Sequence, residues 1–436
     1  MTTRAVAPAI DEKAVRSIAQ RRDEPAWLQK RRLDAWRAFE AMAMPNPLGE
    51  EWRRTDVSGL DLAAALESGA ASGKARLPRD LRDRRSLAGL LVQQDDDVVE
   101  HFLGSEAAQG LIFSDLHTAA QRRPDLVEQH LHSLVGPTEW KLLALEAALW
   151  QGGALIYVPR GVEVTLPLRY AAWAGGRSLF PHLLIVAEEN SSLTVVQETR
   201  SSDGAGQALI SGAVEIVAGP YARVRFLDLQ RGGKRAYSFS TIRARLDRGA
   251  ELTAGLVGLG SRLNKTRLDV ALEGEGARTE LLGLSFSEGS QHFDYTTLQD
   301  HIGPKTESDL LFKAALADQS SEVWNGTVRI QKGGSGSTAN QTSRNLLLSD
   351  QAKAAPIPVL EIEAYDILRC SHGATAGPLD EDQRFYLESR GIAPADAQRL
   401  LVEAFFKEVV DRLPAPHIHP AIEKALRRRI EGKVQP

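Results

Sequence analysis

Along this chain the spacing of apolar residues changes period twice. In EPAWLQKRRLDAWRAFEAMAMP, residues 24–45, Trp27, Leu28, Trp36, Phe39 and Met42 fall mostly at helical spacing, and Pro45 closes the run. This predicts an amphipathic helix. The following NPLGEEWRRTDVSGLDL consists of turn and charged residues, with Trp52 as its one large anchor. Further on, GPTEWKLLALEAALWQGG places Pro137 near a helix start, repeats Trp140, Leu143, Ala147 and Trp150 at helical spacing, and ends on paired glycines. Residues 1–152 therefore read as a mainly helical N-terminal region.

From Gly153 the pattern is that of strands. GALIYVPRGVEVTLPLRY, HLLIVAEENSSLTVVQETR, GAVEIVAGPYARVRFLDLQ and STIRARLDRGAELTAGLVGLG alternate or cluster β-branched and apolar residues in short runs separated by Gly, Asn, Asp, Ser and Pro. A turn recurs: the segments starting at Gly249, Gly276 and Gly303 are 27 residues apart, and Gly219-Pro220 lies 30 residues before the first. Short strands returning to a turn at constant path length are what a chain winding in stacked coils produces. The expected fold class is mainly β, with a parallel β-helix at residues 153–377. A β-sandwich is the competing fold, but its turns come more often and less evenly.

After Gly377 the helical period returns, giving a C-terminal helical region at 378–436. Asp380 can cap a helix in LDEDQRFYLESRGI, with Gln383 at the reciprocal capping position and Gly391 at its end. APADAQRLLVEAFFKEVVDRLP carries Leu400, Leu401, Ala404, Phe405, Val409 and Leu413 near one face, and a third helix can start at Pro420. This tail is too short for a core of its own, so it should pack on the last coil and leave a face for another protein.

Composition narrows the function classes. The 436 residues are 43% hydrophobic and 25% charged, enough for a large core with one or two smaller units. A formal charge of −4 argues against a protein that lives on nucleic acid or acidic membranes. No stretch of about 18 apolar residues occurs, and MTTRAVAPAIDEKAVRS lacks the apolar run of a secretory signal. A cytoplasmic location is expected. The single cysteine forms no internal disulfide and cannot by itself build a cysteine-rich zinc site.

Signatures of common enzymes are missing. RGGKRAY lacks the first glycine and the hydroxyl residue of a phosphate loop, and there is no G-x-S-x-G, no H-E-x-x-H and no G-x-G-x-x-G after a clear strand. What remains is RCSHGATAG, where Cys370 and His372 at i and i+2 of an extended segment point to one face and could reach one soft or borderline metal. The competing reading is a core thiol beside a turn. His292, Asp294, Asp300 and His301 form a second polar group in SQHFDYTTLQDHIG. Acidic groups on β-helix coils can serve as acid and base in a carbohydrate hydrolase or lyase, the alternative function class; polar turn residues are the plainer reading. His417 and His419 make an H-x-H pair between prolines, read as an exposed connector, and RRRIEGK reads as a solvated helix face.

The stretch LEIEAYDILRCSHGATAGPLDEDQRFYLESRGI resembles the C-terminal signature of the SufD family, within the SufB/SufD proteins of the SUF machinery that assembles iron-sulfur clusters. EEWRRTD, ALWQGGALIYVPRGVEVTLPL and NQTSRNLLLSDQAKA are similar to the same family, so the resemblance runs through most of the chain. SufB shares the core but differs at the C-S-H-G stretch and usually carries more cysteines, which favours the D type. The resemblance implies a right-handed parallel β-helix flanked by helices. It further implies a non-catalytic scaffold that pairs with SufB through the last coils and docks the ATPase SufC on its C-terminal helices. By position, His372 matches a histidine proposed to help hold a nascent, transient iron-sulfur cluster at the SufB interface. Cys370 matches the nearby thiol, as a secondary ligand or a core thiol. Exposed edges at the last coil allow a homodimer when SufB is missing. Nothing in the sequence supports a reduced flavin on this chain, or fixes the cluster type or the sulfur donor.

Overall fold

The computed structural model describes residues 10–67, 78–104, 110–176, 178–203 and 206–432. Its centre is a parallel β-solenoid of about eight turns, the coil architecture expected from the recurring turns. The N-terminal region contains α1 (Glu12–Arg21), α2 (Ala26–Ala41) and α3 (Leu62–Glu67). Three strands follow, β1 (Gly89–Gln94), β2 (Asp97–Leu103) and β3 (Ile112–Asp115), and then α4 (Leu116–Arg122), α5 (Pro124–His130) and α6 (Lys141–Leu149). The sheets thus begin well before Gly153, because β1 pairs in parallel with a solenoid strand and β3 pairs with the first strand after Gly153. Helix α6 starts at Lys141, four residues beyond Pro137.

The coils proper alternate between two sheets. One carries β5 (Leu168–Ala174), β7 (Ser192–Ser201), β9 (Arg223–Arg231), β11 (Glu251–Gly258), β13 (Arg278–Ser287), β15 (Glu307–Leu316), β17 (Thr338–Leu347) and β19 (Arg369–Pro378). The other carries β4 (Ala154–Val158), β6 (His182–Ala187), β8 (Ala208–Ala218), β10 (Ala236–Leu246) and β12 (Leu263–Leu272). It continues through β14 (His292–His301), β16 (Ser321–Ile330) and β18 (Lys353–Ile362). The chain ends in α7 (Glu381–Ser389), α8 (Pro394–Arg412) and α9 (His419–Glu431).

One backbone conformation repeats in each coil. Asn190, Tyr221, Gly249, Gly276, Lys305 and Gly336 all have φ between 56° and 71°. The N–H of each donates to a carbonyl in the next coil's turn: Tyr221 to Arg248, Gly249 to Glu275, Gly276 to Pro304, Lys305 to Ser335 and Gly336 to Asp366. Gly303 is not the equivalent of Gly249 and Gly276; Lys305, two residues later, holds that place, so coil lengths vary around the apparent period of 27. Gly274 serves another purpose, since a Cβ there would stand 1.9 Å from the Arg248 backbone nitrogen.

Register stacking turns the inward positions into columns. Val195, Phe226, Ala254, Leu281 and Leu310 lie over one another in successive coils, all buried. Complete burial of such side chains contributes about 1.5–3 kcal/mol each. The outer faces are covered as well, which is why the strands carry so few alternating polar residues. Trp36, Trp52, Leu142, Leu145 and Trp150 of the N-terminal region pack on Leu184, Leu209, Phe239 and Leu263 of the nine-stranded sheet. Val402, Phe406, Val409 and Val410 of α8, with Ile422, Leu426 and Ile430 of α9, pack on Leu227, Val257, Leu284 and Leu311 of the ten-stranded sheet. Helix α8 is therefore rotated from the expected face: Leu400 and Ala404 are exposed, whereas Val402 and Phe406 are buried. Docking on the sheet selects the 402/406/409 row.

Not all of the interior is apolar. Asp228 and Glu322 lie on inward rows, and Glu322 Oε2 accepts from Ser285 Oγ at 2.5 Å. Burial raises the Asp228 carboxyl to about 7 and the Glu322 carboxyl to about 8. Their protonated forms are favoured by folding, so their contribution is complete below the ordinary carboxyl range near pH 4 and is lost as pH rises from there to about 7 for Asp228 and about 8 for Glu322. Asp228→Asn and Glu322→Gln should each raise stability more at pH 8.5 than at pH 5, by about 2 kcal/mol or more, in urea unfolding at the two pH values.

The turn ladder makes a second prediction for the same assay. Gly276→Ala should cost about 1–2 kcal/mol, because a Cβ there meets no atom and only the left-handed backbone opposes it. Gly274→Ala should cost more, since its Cβ must displace backbone.

Candidate functional site at the open end of the solenoid

The stack stops at β18 and β19, which among the described residues pair only with β16 and β17. Each leaves one ten-residue edge without a strand neighbour. Around these edges Ile362, Tyr365 and Leu368 are exposed, Tyr365 completely and Leu368 to 78%. Two long strand edges beside three large apolar side chains form an unfinished surface.

Both sequence-predicted ligands sit on it. His372 is the register partner of Gln341, which follows Leu310 in the inward column described above. Cys370 is the partner of Ala339, which follows Ser308, and it packs against the cluster of Val328, Ile330 and Ala339. The thiol and the imidazole thus belong to inward rows of the last coil, on one side of β19, as the i, i+2 spacing requires. His372 is exposed and Cys370 half-buried, because no further coil covers them. Burial pushes the Cys370 thiol up, so a metal bound there must displace a proton. The His372 ring has no hydrogen-bond partner among the described residues, which leaves its nitrogen lone pair available. Ser371, on the opposite face, donates to Asn340 Oδ1 at 2.9 Å, and Asn340 donates to Asp309 at 2.8 Å. This ladder fixes the backbone that carries both groups.

The other sequence candidates do not converge. His292 Nε2 lies 3.0 Å from Thr55 Oγ1, and its Nδ1 lies 2.7 Å from Ser321 Oγ. Asp294 accepts from Lys265 Nζ at 2.7 Å and from Thr55. These two residues anchor the Trp52 segment, and the Lys265 ammonium also sits 4.8 Å from the Trp52 ring centroid. Asp300 is held by Gln331, whereas His301 points inward to Thr306 and Ser308. Six residues of extended strand separate Asp294 from Asp300, about 20 Å. A glycosidase acid and base stand about 5 to 9.5 Å apart, so this group does not form a hydrolytic pair. His417 and His419 also diverge: His419 Nε2 approaches the Leu413 carbonyl at 2.9 Å, and His417 faces a separate cavity. In RRRIEGK, Arg429 is not solvated but reaches Glu288 at 3.1 Å.

Sequence reading missed a buried charged group. His132, His182 and Glu215 have ligand-type atoms within 4.8 Å of one another, the one such triple among the described residues. The ligand atoms of His182 and Glu215 are already committed. His182 contacts Glu146 at 3.1 Å and Glu215 at 3.0 Å, and Glu215 also accepts the backbone N–H groups of His132, Leu134 and Val135. Burial disfavours a charged imidazole, but the two carboxylates outweigh it and raise His182 to about 10. The group is an ion-pair lock tying α6 and the 132–135 segment to β6 and β8. Its signal was a charged residue within an otherwise apolar run: LLALEAAL, HLLIVA and GAVEIVA.

Comparison with known proteins agrees with this architecture. Residues 170–405 match the family model described as SUF system FeS cluster assembly, SufBD core domain, and residues 88–170 match the SufBD protein N-terminal region. The chain is 31% identical to the iron-sulfur cluster assembly protein SufD of Bacillus subtilis, over 97% of this chain and 98% of the relative. It is 25% identical to the iron-sulfur cluster assembly protein SufB of the same organism, over 98% of this chain and 94% of that protein. An iron-sulfur cluster assembly SufBD family protein of Staphylococcus saprophyticus is 26% identical with the same coverage. The solenoid with its helical flanks, the core match over more than half the chain and these full-length similarities mean that the chain belongs to the SufBD family, whose role is iron-sulfur cluster assembly.

Proposed function

We propose that this chain is the SufD-type scaffold of a SUF assembly complex: it pairs with a SufB-type partner through its last coil and docks a SufC-type ATPase on its C-terminal helices. The observation that carries the reading is the unfinished end of the solenoid, where two open strand edges and exposed Tyr365 and Leu368 surround His372 and Cys370. A partner that continues the coil or abuts it would bury these edges and bring its own ligands to the two inward rows. The iron-sulfur cluster is cargo in this reading. His372 supplies a nitrogen ligand, and Cys370 is a secondary ligand or a packing thiol. Imidazole holds such iron less firmly than thiolate does, which suits a site that must release what it assembles.

The C-terminal docking surface is supported by the groove between α8 and α9. Leu400, Ala404 and Val410 face Leu426 across it, with Glu403, Lys407 and Arg427 at the rim. It is the strip left over when α8 turns its 402/406/409 row to the sheet. ATP-driven dimerisation of the docked subunit would pull on these helices and strain the seam at the last coil, opening or closing the cluster site.

Co-expression with SufB-type and SufC-type partners, affinity capture and iron and sulfide analysis test the reading. His372→Ala should lower bound cluster severalfold while capture of both partners and the unfolding temperature stay close to wild type. Equal loss of complex and cluster would mark the imidazole as structural.

Leu400→Asp should weaken capture of the ATPase and spare the SufB-type partner, whereas Leu368→Asp should do the reverse. If the ATPase binds the SufB-type partner but never this chain, the docking assignment fails.

A further inference from the structure

A second polar site lies on the outer surface of the ten-stranded sheet, near its N-terminal end. Arg200 and Arg231 are register partners on β7 and β9, and Arg169 approaches from β5. Between them lies Glu198, whose side chain is 2% exposed. One Glu198 oxygen accepts from Arg169 and the other from Arg200. Arg200 also pairs with Asp80 at 2.6 Å, and Arg85 pairs with Asp83 at 2.7 Å.

Counting charges leaves one guanidinium over. With Arg85 assigned to Asp83, Arg200 to Asp80 and Arg169 to Glu198, Arg231 has only a 3.5 Å approach to a Glu198 oxygen that Arg200 already occupies. Its side chain is 22% exposed, but its Nε and Nη2, together with Arg169 Nε, are buried without a hydrogen-bond partner among the described residues. Burial pushes the Arg231 pKa down, against the pull of Glu198, and the nearby Arg200 adds to the fall. A desolvated cation with unmade hydrogen bonds is costly unless something completes it.

Space for that partner is present. These arginines, with Asp80, Asp83 and Glu198, line a cavity of about 180 Å³, opposite His417 and Ile418, just before α9, and Ala421 in its first turn. No side chain caps this 13-residue helix, so the positive end of its dipole adds to the same field. A tetrahedral oxyanion offers several acceptor oxygens at once, which suits guanidinium groups converging from three strands.

We propose that this cavity binds a phosphate-class oxyanion, free or as the phosphomonoester end of a small molecule. The site is separate from the last coil and does not depend on the assembly role. An anion there would join β5, β7 and β9 to the start of α9, holding the C-terminal helices against the sheet.

The test is calorimetric titration of the full-length chain with inorganic phosphate at fixed ionic strength, beside adenosine monophosphate and a chloride control. One saturable phosphate site is expected, with a rise in Tm that chloride does not give. Arg231→Gln should weaken binding about tenfold or more, and its unliganded Tm should equal or exceed that of wild type. Glu198→Gln should lower the unliganded Tm and recover more of it on phosphate addition than wild type gains. Tighter binding of adenosine monophosphate than of phosphate assigns the phosphomonoester as ligand; the reverse order assigns free phosphate. Absence of saturable binding by either, unchanged binding in Arg231→Gln, or a lowered unliganded Tm in that variant overturns the proposal.

Discussion

Parallel stacking in register is the constraint on which the rest of the molecule depends. Each coil satisfies its backbone N–H and C=O groups on the coils before and after it, and the left-handed residues from Asn190 to Gly336 extend that ladder around the corner of the solenoid. Inside, the same register makes columns, so a side chain's surroundings are set by residues about 30 positions away in both directions. A column cannot end in the middle of the protein. At the first coils the problem is solved by β1, β2 and β3, which continue the sheets and close them with antiparallel strands. At the last coil nothing equivalent exists among the described residues, and the unmade hydrogen bonds of β18 and β19 lie at the surface.

One inward column changes character toward that end. Val195, Phe226, Ala254, Leu281 and Leu310 give way to Gln341 and His372, and in the neighbouring row Ser308 and Ala339 lead to Cys370. A polar interior weakens the hydrophobic case for the last coils, but it places ligand-type atoms where a bare column would otherwise expose hydrocarbon. The candidate site is thus an outcome of where the stack stops. His372 and Cys370 need no special loop, only an inward position on a coil that has no successor.

Much of this was legible in the sequence. The change from helical to alternating period marked the solenoid strands from Gly153 onward, the glycine recurrence marked the coils, and i, i+2 spacing placed Cys370 and His372 on one face. Other features were not, for physical reasons. The strands β1 to β3 sit in a region dominated by helical runs and pair with partners far along the chain, so local periodicity could not assign them to the sheets. The interval of 27 could not reveal that Lys305 replaces glycine, because an exposed turn tolerates a left-handed lysine. The buried face of α8 was placed only in part, with Val409 and Leu413 covered as expected but Leu400 and Ala404 exposed, because Leu400, Phe405, Phe406 and Val409 give the helix apolar residues on more than one side, and only the sheet beneath decides which of them is covered. Arg169, Arg200 and Arg231 lie 31 residues apart, a spacing that reads as scatter until the coils are wound.

The two helical covers are attached in different ways, and this bears on how a force could reach the open end. The N-terminal cover is tied to its sheet by charges removed from water, His182 between Glu146 and Glu215, and is held together internally by Arg32, which pairs with Glu24 while donating to the Ala148 and Trp150 carbonyls. Breaking such contacts strands a buried charge, which costs about 3–5 kcal/mol, so this cover moves with the sheet beneath it. The C-terminal cover combines an apolar face with rim contacts such as Arg412 to Glu280 and Asp309, and Lys313 to Glu408, in which at least one partner is substantially exposed. Exposed pairs contribute about 0–1 kcal/mol each and can exchange with water. A load on α8 and α9 therefore meets its weakest resistance at their own seam with β13 and β15, two and three coils from His372. Between that seam and the last coil lie only register-stacked strands, β15 to β17 to β19, while the N-terminal cover is held on the opposite sheet.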